Sequence, residues 1–307
     1  MIDRGFEYTI PPFMMRGNIV KGVMSFKEME EMMYKIEGED LYLIGTSEHT
    51  MIGRYIDTIT EEKNIPILKT SYSPCFRKEK GSHGIEERGI YRVHQFEKQE
   101  MIVICKPEDS YMYYDKLWQN TVDLFVSMEI PVRTLEICSG DLADLKAKSC
   151  DVEAWSPRQK KYFEVGSCSN LTDAQARRLK IRIRDKEGNI YLAHTLNNTV
   201  VAPPRMLIAF VENHLNEDGS IYIPEVLRPY MGGKERIEEK NNKEDINKVG
   251  KEEGYKVKEY SYDTIRELIK VAKEDYVKQL ETKDSLKVNR VVLSDTTKGL
   301  SEIDKNN

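Results

Sequence analysis

The stretch from Ser73 to Glu100 reads SPCFRKEKGSHGIEERGIYRVHQFEKQE and predicts a β-hairpin: strand, glycine-rich polar loop, strand. Side chains at i and i+2 of a strand share a face. One face of the hairpin would therefore present Arg77 and Glu79 from the first strand and Arg92, His94, Phe96 and Glu100 from the second. A guanidinium for phosphate, a ring for a base and a carboxylate for an amino group suit a nucleotide. A solvated, charged hairpin fits the same residue types.

Before the hairpin, LYLIGTSEH at positions 41–49 is an apolar strand that ends at Gly45. The small polar side chains of Thr46, Ser47 and the carboxylate of Glu48 follow it. These residues could cradle an amino acid, or they could cap the next helix.

After the hairpin, YFEVGSCSNLTDAQARR at positions 162–178 places Glu164 near the end of a strand, with Gly166 and Ser167 next. A carboxylate beside hydroxyls can hold Mg²⁺ and a polyphosphate, because this ion takes few protein ligands and keeps waters. The alternative is a helix cap, in which Gln175 stands three residues after Thr172.

The last of these segments, HTLNNTVVAPPRMLIAFVENH at positions 194–214, predicts a helix that begins at Pro204. Arg205 would lie at the positive end of that helix dipole. A cation is unfavourable there, so its presence suggests that an anion such as a phosphate binds beside it. The preceding Asn197, Asn198 and Thr199 could form a plain turn.

The pattern around these segments predicts an α+β fold with a mainly antiparallel sheet, because strands of one sheet alternate with intervening helices. The predicted strands are Leu41–Gly45, Ile90–Phe96, Glu100–Cys105, Val132–Ile137, Cys150–Trp155, Lys161–Ser167 and Ile190–His194. The predicted helices are Ser25–Lys35, His49–Lys63, Pro107–Met128, Leu171–Lys180 and Pro204–His214. No GxGxxG or GxxxxGK[ST] motif is present, so neither a Rossmann fold nor a P-loop is indicated.

Composition limits the class of protein. The 307 residues include 47 basic and 52 acidic ones, a formal net charge of -5. This excludes a nucleic-acid-binding domain that works through bulk positive charge, although not a local basic groove. No apolar run approaches the ~18 residues that span a membrane, and the start has no apolar signal-peptide core. The 5 cysteines form no CxxC pair, so we expect no disulfide framework and a reducing cytoplasm.

Composition changes near residue 232. The segment 233–254 is rich in both charges and almost free of apolar residues, which predicts a linker. In 255–307, apolar residues at helical spacing from Tyr262 to Tyr276 predict one amphipathic helix, followed by a loose tail. We therefore expect a folded domain at 1–232, a linker at 233–254 and an extension at 255–307.

Four segments resemble the motifs of class II aminoacyl-tRNA synthetases in type and order. They contain TSE; FRKE with RVHQFEKQE; EVGSCSNLTDAQARR; and LNNT with APPR and VLRPYMGG. Within that class they are most similar to seryl-tRNA synthetases of archaeal type, and the similarity covers roughly residues 5–232. The resemblance implies an antiparallel sheet flanked by helices, a site on the sheet face and a homodimer.

The resemblance also implies a role for each matching residue. Serine binding is implied for Thr46, Ser47, Glu48, Arg77, Glu100 and Thr199. ATP binding is implied for Arg77, Lys78, Glu79, Val93, His94, Gln95, Phe96, Glu164, Val165, Gly166, Ser167 and Arg205. A Mg²⁺ ion carried with ATP is implied at Glu164 and Ser167, and catalysis by Arg77, Glu100 and Arg205.

The implied activity is ATP-dependent activation of L-serine and its ligation to tRNA-Ser, whose acceptor end would meet the motif 2 loop at 80–88. The chain starts with a segment that resembles the end of motif 1, so we expect the N-terminal tRNA-binding arm and most of the motif 1 helix to be absent. Transfer to tRNA and dimerisation would then be weakened. The alternatives are a tRNA-independent aminoacyl carrier-protein ligase and a non-catalytic regulatory paralogue.

Overall fold

The computed structural model describes residues 1–79, 89–238, 290–293 and 300–304. Contacts divide the chain into two units, Met1–Ile237 and Glu238–Asn307. In the described part of the second unit, strands Arg290–Leu293 and Leu300–Asp304 pair antiparallel. The predicted linker from residue 239 onward, the predicted helix at 262–276 and the motif 2 loop at 80–88 lie outside the described residues.

A seven-stranded sheet forms the centre of the first unit. The strands of this unit are β1 (Glu7–Tyr8), β2 (Met14–Arg16), β3 (Leu41–Leu43), β4 (Ile59–Glu61), β5 (Ile67–Phe76), β6 (Gln95–Cys105), β7 (Val132–Glu136), β8 (Lys148–Ser156), β9 (Lys161–Asn170), β10 (Arg182–Arg184), β11 (Ile190–Leu192), β12 (His194–Val201), β13 (Ile221–Tyr222) and β14 (Arg236–Ile237). The central sheet has the order β1-β5-β6-β12-β9-β8-β7. Only β1 and β5 in it are parallel. The predicted antiparallel α+β fold is confirmed.

Smaller sheets and the helices surround this centre. The small sheets of the first unit have the orders β11-β10-β4, β2-β3 and β13-β14. The α-helices described are α1 (Gly17–Val23), α2 (Phe26–Met32), α3 (Glu48–Gly53), α4 (Ser110–Ser127), α5 (Ala174–Leu179) and α6 (Pro203–His214). Short 3₁₀ segments are Ile2–Arg4, Glu62–Asn64, Pro107–Asp109 and Glu225–Met231. None of these described helices is long and apolar enough to cross a membrane.

Local sequence sets the helix starts. The side chain of Ser25 accepts a hydrogen bond from the Glu28 backbone N–H, and the Glu28 carboxylate accepts one from the Ser25 N–H, so a complete capping box starts α2. Proline occupies the first turn of α6, where the missing N–H is not needed.

The centre of this sheet, along β6, is buried on both faces. On one face, Met101 and Val103 of β6 pack with Tyr114 and Leu117 of α4. On the other face, Ile102 and Ile104 pack into a cluster with residues of α1, α3 and α5. A third cluster joins the end of α4 to α6. The second face of β6 continues from Ile102 toward Glu100 and Phe96, where apolar packing gives way to polar side chains.

Some predicted elements have different bounds. The predicted strand Ile90–Phe96 begins only at Gln95. The predicted helix His49–Lys63 is wrong beyond Gly53: the β-branched Ile59 and Thr60 instead pair with β10, after Asp57 turns the chain at φ 52°. The segment 197–199 is not a turn but the middle of β12, between β6 and β9.

Candidate active site

A cavity of about 330 Å³ lies on the polar face of β6, β9 and β12. Its wall is completed by the start of α3, the start of α6 and the segment 143–146. The sheet brings most of the predicted site residues together there: Thr46, Glu48, Arg77, Glu79, Val93, Phe96, Glu100, Glu164, Val165, Gly166, Ser167, Thr199 and Arg205. Residues separated by more than a hundred positions in sequence therefore share one cavity.

The floor of the cavity carries a buried ionic group. Lys98 and Glu100 are two residues apart in β6 and therefore share one face of the sheet. Thr199 of β12 is the register partner of Glu100. The Lys98 ammonium lies 2.5 Å from Glu100 Oε2, and Thr199 Oγ1 donates to the same oxygen at 3.3 Å. Glu100 is 1 % exposed. Buried charges persist when they are paired and hydrogen-bonded, as here, and this floor offers a small polar ligand both a donor and an acceptor.

A second carboxylate, that of Glu48, lies at the same end of the cavity. Its Oε1 accepts a hydrogen bond from Gln175 Nε2 at 2.8 Å, and Thr195 Oγ1 in turn donates to Gln175 Oε1 at 2.7 Å. Burial, with the nearby charge of Glu100, raises the pKa of Glu48 to about 7. Two carboxylates in one enclosed space favour a cationic ligand, which would relieve their repulsion.

Arg77 lines the cavity directly after the end of β5, where the hairpin loop begins. Its Nε donates to the Gly45 carbonyl oxygen at 3.0 Å, and its guanidinium lies 5.3 Å from the centre of the Phe96 ring. The backbone N–H of Arg77 donates to the His94 carbonyl oxygen, which holds the hairpin closed at this point. One edge of the guanidinium is thus fixed by the protein, and a fixed guanidinium can bind a carboxylate or phosphate through its other donors.

Arg205 supplies a second guanidinium from the start of α6. Its Nη1 donates to Glu164 Oε2 at 2.9 Å and to the Glu164 carbonyl oxygen at 3.2 Å. The same guanidinium lies 4.5 Å from the ring centre of Tyr91. A further ion pair at the rim joins Arg92 to Glu79 at 2.9 Å. The cavity therefore carries two separate guanidinium groups, each held on one side by the protein.

Oxygen donors lie beside Glu164. Ser167 lines the cavity on the same strand and pairs in register with Asp151 on the neighbouring strand β8. Burial, with the charge of Glu164 nearby, raises the pKa of Asp151. Carboxylate and hydroxyl oxygens are donors that suit Mg²⁺. Among the described residues no group of three or more His, Cys, Asp or Glu is placed to enclose a metal ion.

Four of the sequence-predicted residues do not line the cavity: Ser47, Lys78, His94 and Gln95. The Lys78 ammonium donates to the Glu30 carbonyl oxygen, and the His94 ring bonds to Tyr34 and to the Arg77 carbonyl oxygen. Val165 lines the cavity, although its side chain belongs to the third apolar cluster.

Sequence reasoning missed several residues that the fold brings to the cavity. Lys98 could have been found, because it stands between Phe96 and Glu100 at the spacing of one strand face. Lys146, Asn197 and His49 carry no such local signal. Gln175, interpreted as part of a helix cap, is buried and holds Glu48 instead; Asp173 is the residue at the N-cap of α5.

Comparison with known proteins gives a consistent result. The family profile described as "tRNA synthetase class II core domain (G, H, P, S and T)" matches residues 31–214. A serine--tRNA ligase of Methanospirillum hungatei is 47% identical over 237 residues, which are 76% of this chain and 56% of that protein. A serine--tRNA ligase of Thermococcus sibiricus is 49% identical over 236 residues, 76% of this chain and 52% of that protein.

Solved structures show the same likeness. The crystal structure of seryl-tRNA synthetase from Pyrococcus horikoshii complexed with ATP has a TM-score of 0.75 and 46% identity, and covers 77% of this chain and 53% of that one. A cytoplasmic serine-tRNA ligase from Naegleria fowleri in complex with AMP has a TM-score of 0.72 and 38% identity, with coverages of 78% and 57%. The chain spans about half the length of the curated relatives it matches.

Proposed function

This chain belongs to the class II aminoacyl-tRNA synthetase family, and from that premise we propose that it activates L-serine with ATP and transfers the seryl group to tRNA-Ser. The observation that carries the proposal is the buried group of Lys98, Glu100 and Thr199 at the floor of a cavity that also carries Arg77 and Arg205. The names of the relatives favour this activity over a carrier-protein ligase or a non-catalytic paralogue.

The amino-acid end of the cavity fits a small zwitterion with a hydroxyl group. The carboxylates of Glu48 and Glu100 would take the ammonium group, with Thr46 beside them. The guanidinium of Arg77 would take the carboxylate of serine. The paired Thr199 and Glu100 would bind the hydroxyl group. A polar pocket of this kind rejects alanine, because alanine would leave the buried groups unpaired.

The nucleotide end fits ATP. Phe96 would stack against the adenine, and Glu79, which is paired with Arg92, would lie near it. Arg77 would contact the α-phosphate and Arg205 the end of the polyphosphate. Oxygen atoms of Glu164 and Ser167 fit the hard-donor preference of Mg²⁺, and we propose that these residues hold the ion that accompanies ATP. When bound, the ion supplies positive charge against the phosphates.

In the reaction, a carboxylate oxygen of serine attacks the α-phosphorus of ATP. The bond from that phosphorus to the bridging oxygen breaks, and pyrophosphate leaves. No side chain of the protein needs to form a covalent bond with a substrate. The side chains align the two substrates and neutralise negative charge as it develops. Arg77 contacts both the attacking group and the α-phosphate, so its guanidinium is the main aligning group.

The remaining assignments rest on the family. We propose that residues 1–232 are the catalytic domain, with a linker at 233–254 and an extension at 255–307. We also propose that the acceptor end of tRNA-Ser approaches the loop at 80–88, that the protein is a cytoplasmic homodimer, and that transfer to tRNA is the second half-reaction.

The test is ATP–pyrophosphate exchange by the full chain, followed by charging of tRNA-Ser. Exchange should depend on L-serine and should be absent with L-alanine or L-threonine. Arg205→Ala should raise the KM for ATP, whereas Arg177→Ala, an exposed arginine paired within α5 to Asp173, should not. A folded protein without serine-dependent exchange would refute the activation step. Exchange without charging of tRNA-Ser would refute the transfer step alone.

A further inference from the structure

Tyr91 is an aromatic residue of the hairpin that lines the cavity and to which the proposed function gives no role. It lies four residues before the start of β6, and it is half-buried. The guanidinium of Arg205 lies over its ring, with the guanidinium carbon 4.5 Å from the ring centre. A cation over a ring face is attracted by the negative charge of that face, and the attraction grows as water is excluded. The ring therefore backs one of the two guanidinium groups of the cavity.

The ring of Tyr91 is itself held in place by the core. It packs edge-on against the ring of Phe163, with ring centres 5.9 Å apart and planes at 71°. This edge-to-face arrangement is a favoured geometry for a pair of aromatic rings. Phe163 belongs to β9, is 8% exposed and is part of the third apolar cluster. The ring that faces Arg205 is therefore a fixed surface.

The contacts of Arg205 leave part of its guanidinium for a ligand. Within the described part of the chain, both of its side-chain hydrogen bonds come from Nη1, and both go to Glu164. A guanidinium carries five N–H donors, all of which lie in its plane, so a ring over its face uses none of them. Nη2 and Nε therefore keep three donors for an anion, while Glu164 and the ring of Tyr91 hold the group from two directions.

We propose that Tyr91 is a positioning residue whose ring holds the guanidinium of Arg205 in the orientation that binds the polyphosphate of ATP. The inference rests on the proposed function, in which Arg205 contacts the end of that polyphosphate. A free arginine side chain loses rotamer freedom when a ligand orders it, and ordering it before the ligand arrives reduces that cost. The ring should therefore strengthen ATP binding and leave serine binding unchanged.

The experiment compares ATP and serine kinetics in pyrophosphate exchange by variants of the full chain. Tyr91→Leu, which keeps an apolar side chain beside Phe163, should raise the KM for ATP by roughly threefold to thirtyfold, the range of one cation–π contact. The KM for serine should stay the same. Tyr91→Phe keeps the ring and should recover most of the loss. Tyr111→Leu, at an exposed tyrosine of α4, is the matched control.

A double-mutant cycle tests whether the ring acts through Arg205. Arg205→Ala removes the guanidinium, so the addition of Tyr91→Leu to that variant should raise the KM for ATP no further. A further rise as large as that in the parent chain would mean that the ring acts on ATP directly or through the fold, and it would overturn the inference.

The remaining outcomes also overturn it. An unchanged KM for ATP in Tyr91→Leu would remove the positioning role but leave the proposed function standing. An equal loss in Tyr91→Leu and Tyr91→Phe would assign the effect to the hydroxyl group. Equal rises in the KM for ATP and for serine, or a Tyr91→Leu chain that is unfolded without urea, would make the residue structural. Absence of exchange in the unsubstituted chain would remove the proposed function, and this inference with it.

Discussion

Replacement of Glu48 by glutamine should stabilise the protein in a pH-dependent way. The carboxyl group is buried beside Glu100, and its pKa is raised from an ordinary value of 4.5 to about 7. A raised carboxyl pKa means that the folded protein binds a proton more tightly than the unfolded chain does. The contribution of Glu48 to stability is therefore lost as pH rises from about 4.5 to about 7, and stays lost above that.

The magnitude follows from the shift. At 1.36 kcal/mol per pKa unit, a rise from 4.5 to about 7 corresponds to roughly 3 kcal/mol. Glutamine keeps the oxygen that accepts from Gln175 Nε2 and has nothing to ionise. Glu48→Gln should therefore be about 3 kcal/mol more stable than the parent chain near pH 8, and close to equal near pH 4.5. The same change should weaken serine binding, because the negative charge facing the ammonium group is gone.

Urea unfolding at a series of pH values measures this directly. Both tryptophans, Trp118 and Trp155, lie in the first unit, so their fluorescence reports its unfolding. The exposed Glu39, changed to glutamine, is the control and should leave the pH profile unchanged. A stability difference that is constant from pH 4.5 to pH 8, or a variant less stable than the parent near pH 8, would refute the reasoning.

Two further changes test the cavity. Arg77→Ala should lower serine-dependent exchange by about a hundredfold or more, because a guanidinium aligned on the reacting groups is lost. The free energy of unfolding should fall by no more than about 1.5 kcal/mol, the contribution of the hydrogen bond to Gly45. A larger loss of unfolding free energy, measured by urea unfolding, would contradict this. Glu100→Ala should destabilise the protein by about 3–5 kcal/mol because it leaves the Lys98 ammonium buried and unpaired. Lys98→Met combined with Glu100→Leu should recover most of that stability, and a double variant no more stable than Glu100→Ala would argue against the pair.

Much of this architecture could be predicted from local pattern. The hairpin around Arg77 follows from two strands and a glycine-rich loop, and period-two spacing places Phe96 and Glu100 on one face. Strand β12 is harder to predict from sequence, because Asn197 and Asn198 have low strand propensity. The two flanking strands, β6 and β9, bury these residues and override that preference.

Long-range partners could not be predicted this way. Gln175 holds Glu48 across 127 positions of sequence, and its local setting resembles a helix cap. Lys98 and Thr199 meet only because β6 and β12 pair in one register. The burial that alters the pKa of Glu48 and of His49 is likewise a property of the assembled fold, so no short stretch of sequence carries it.

Strand β6 carries site residues on one face and core residues on the other, and this arrangement constrains how the protein can evolve. Phe96, Lys98 and Glu100 share a face with Ile102 and Ile104, and the opposite face holds Met101 and Val103 in the core. An insertion or deletion of one residue in this strand would reverse both faces and lose the site and the core together. Inherited changes in substrate preference should therefore accumulate as single substitutions, or in the segments at the rim such as 143–146, where length can vary without disturbing the sheet.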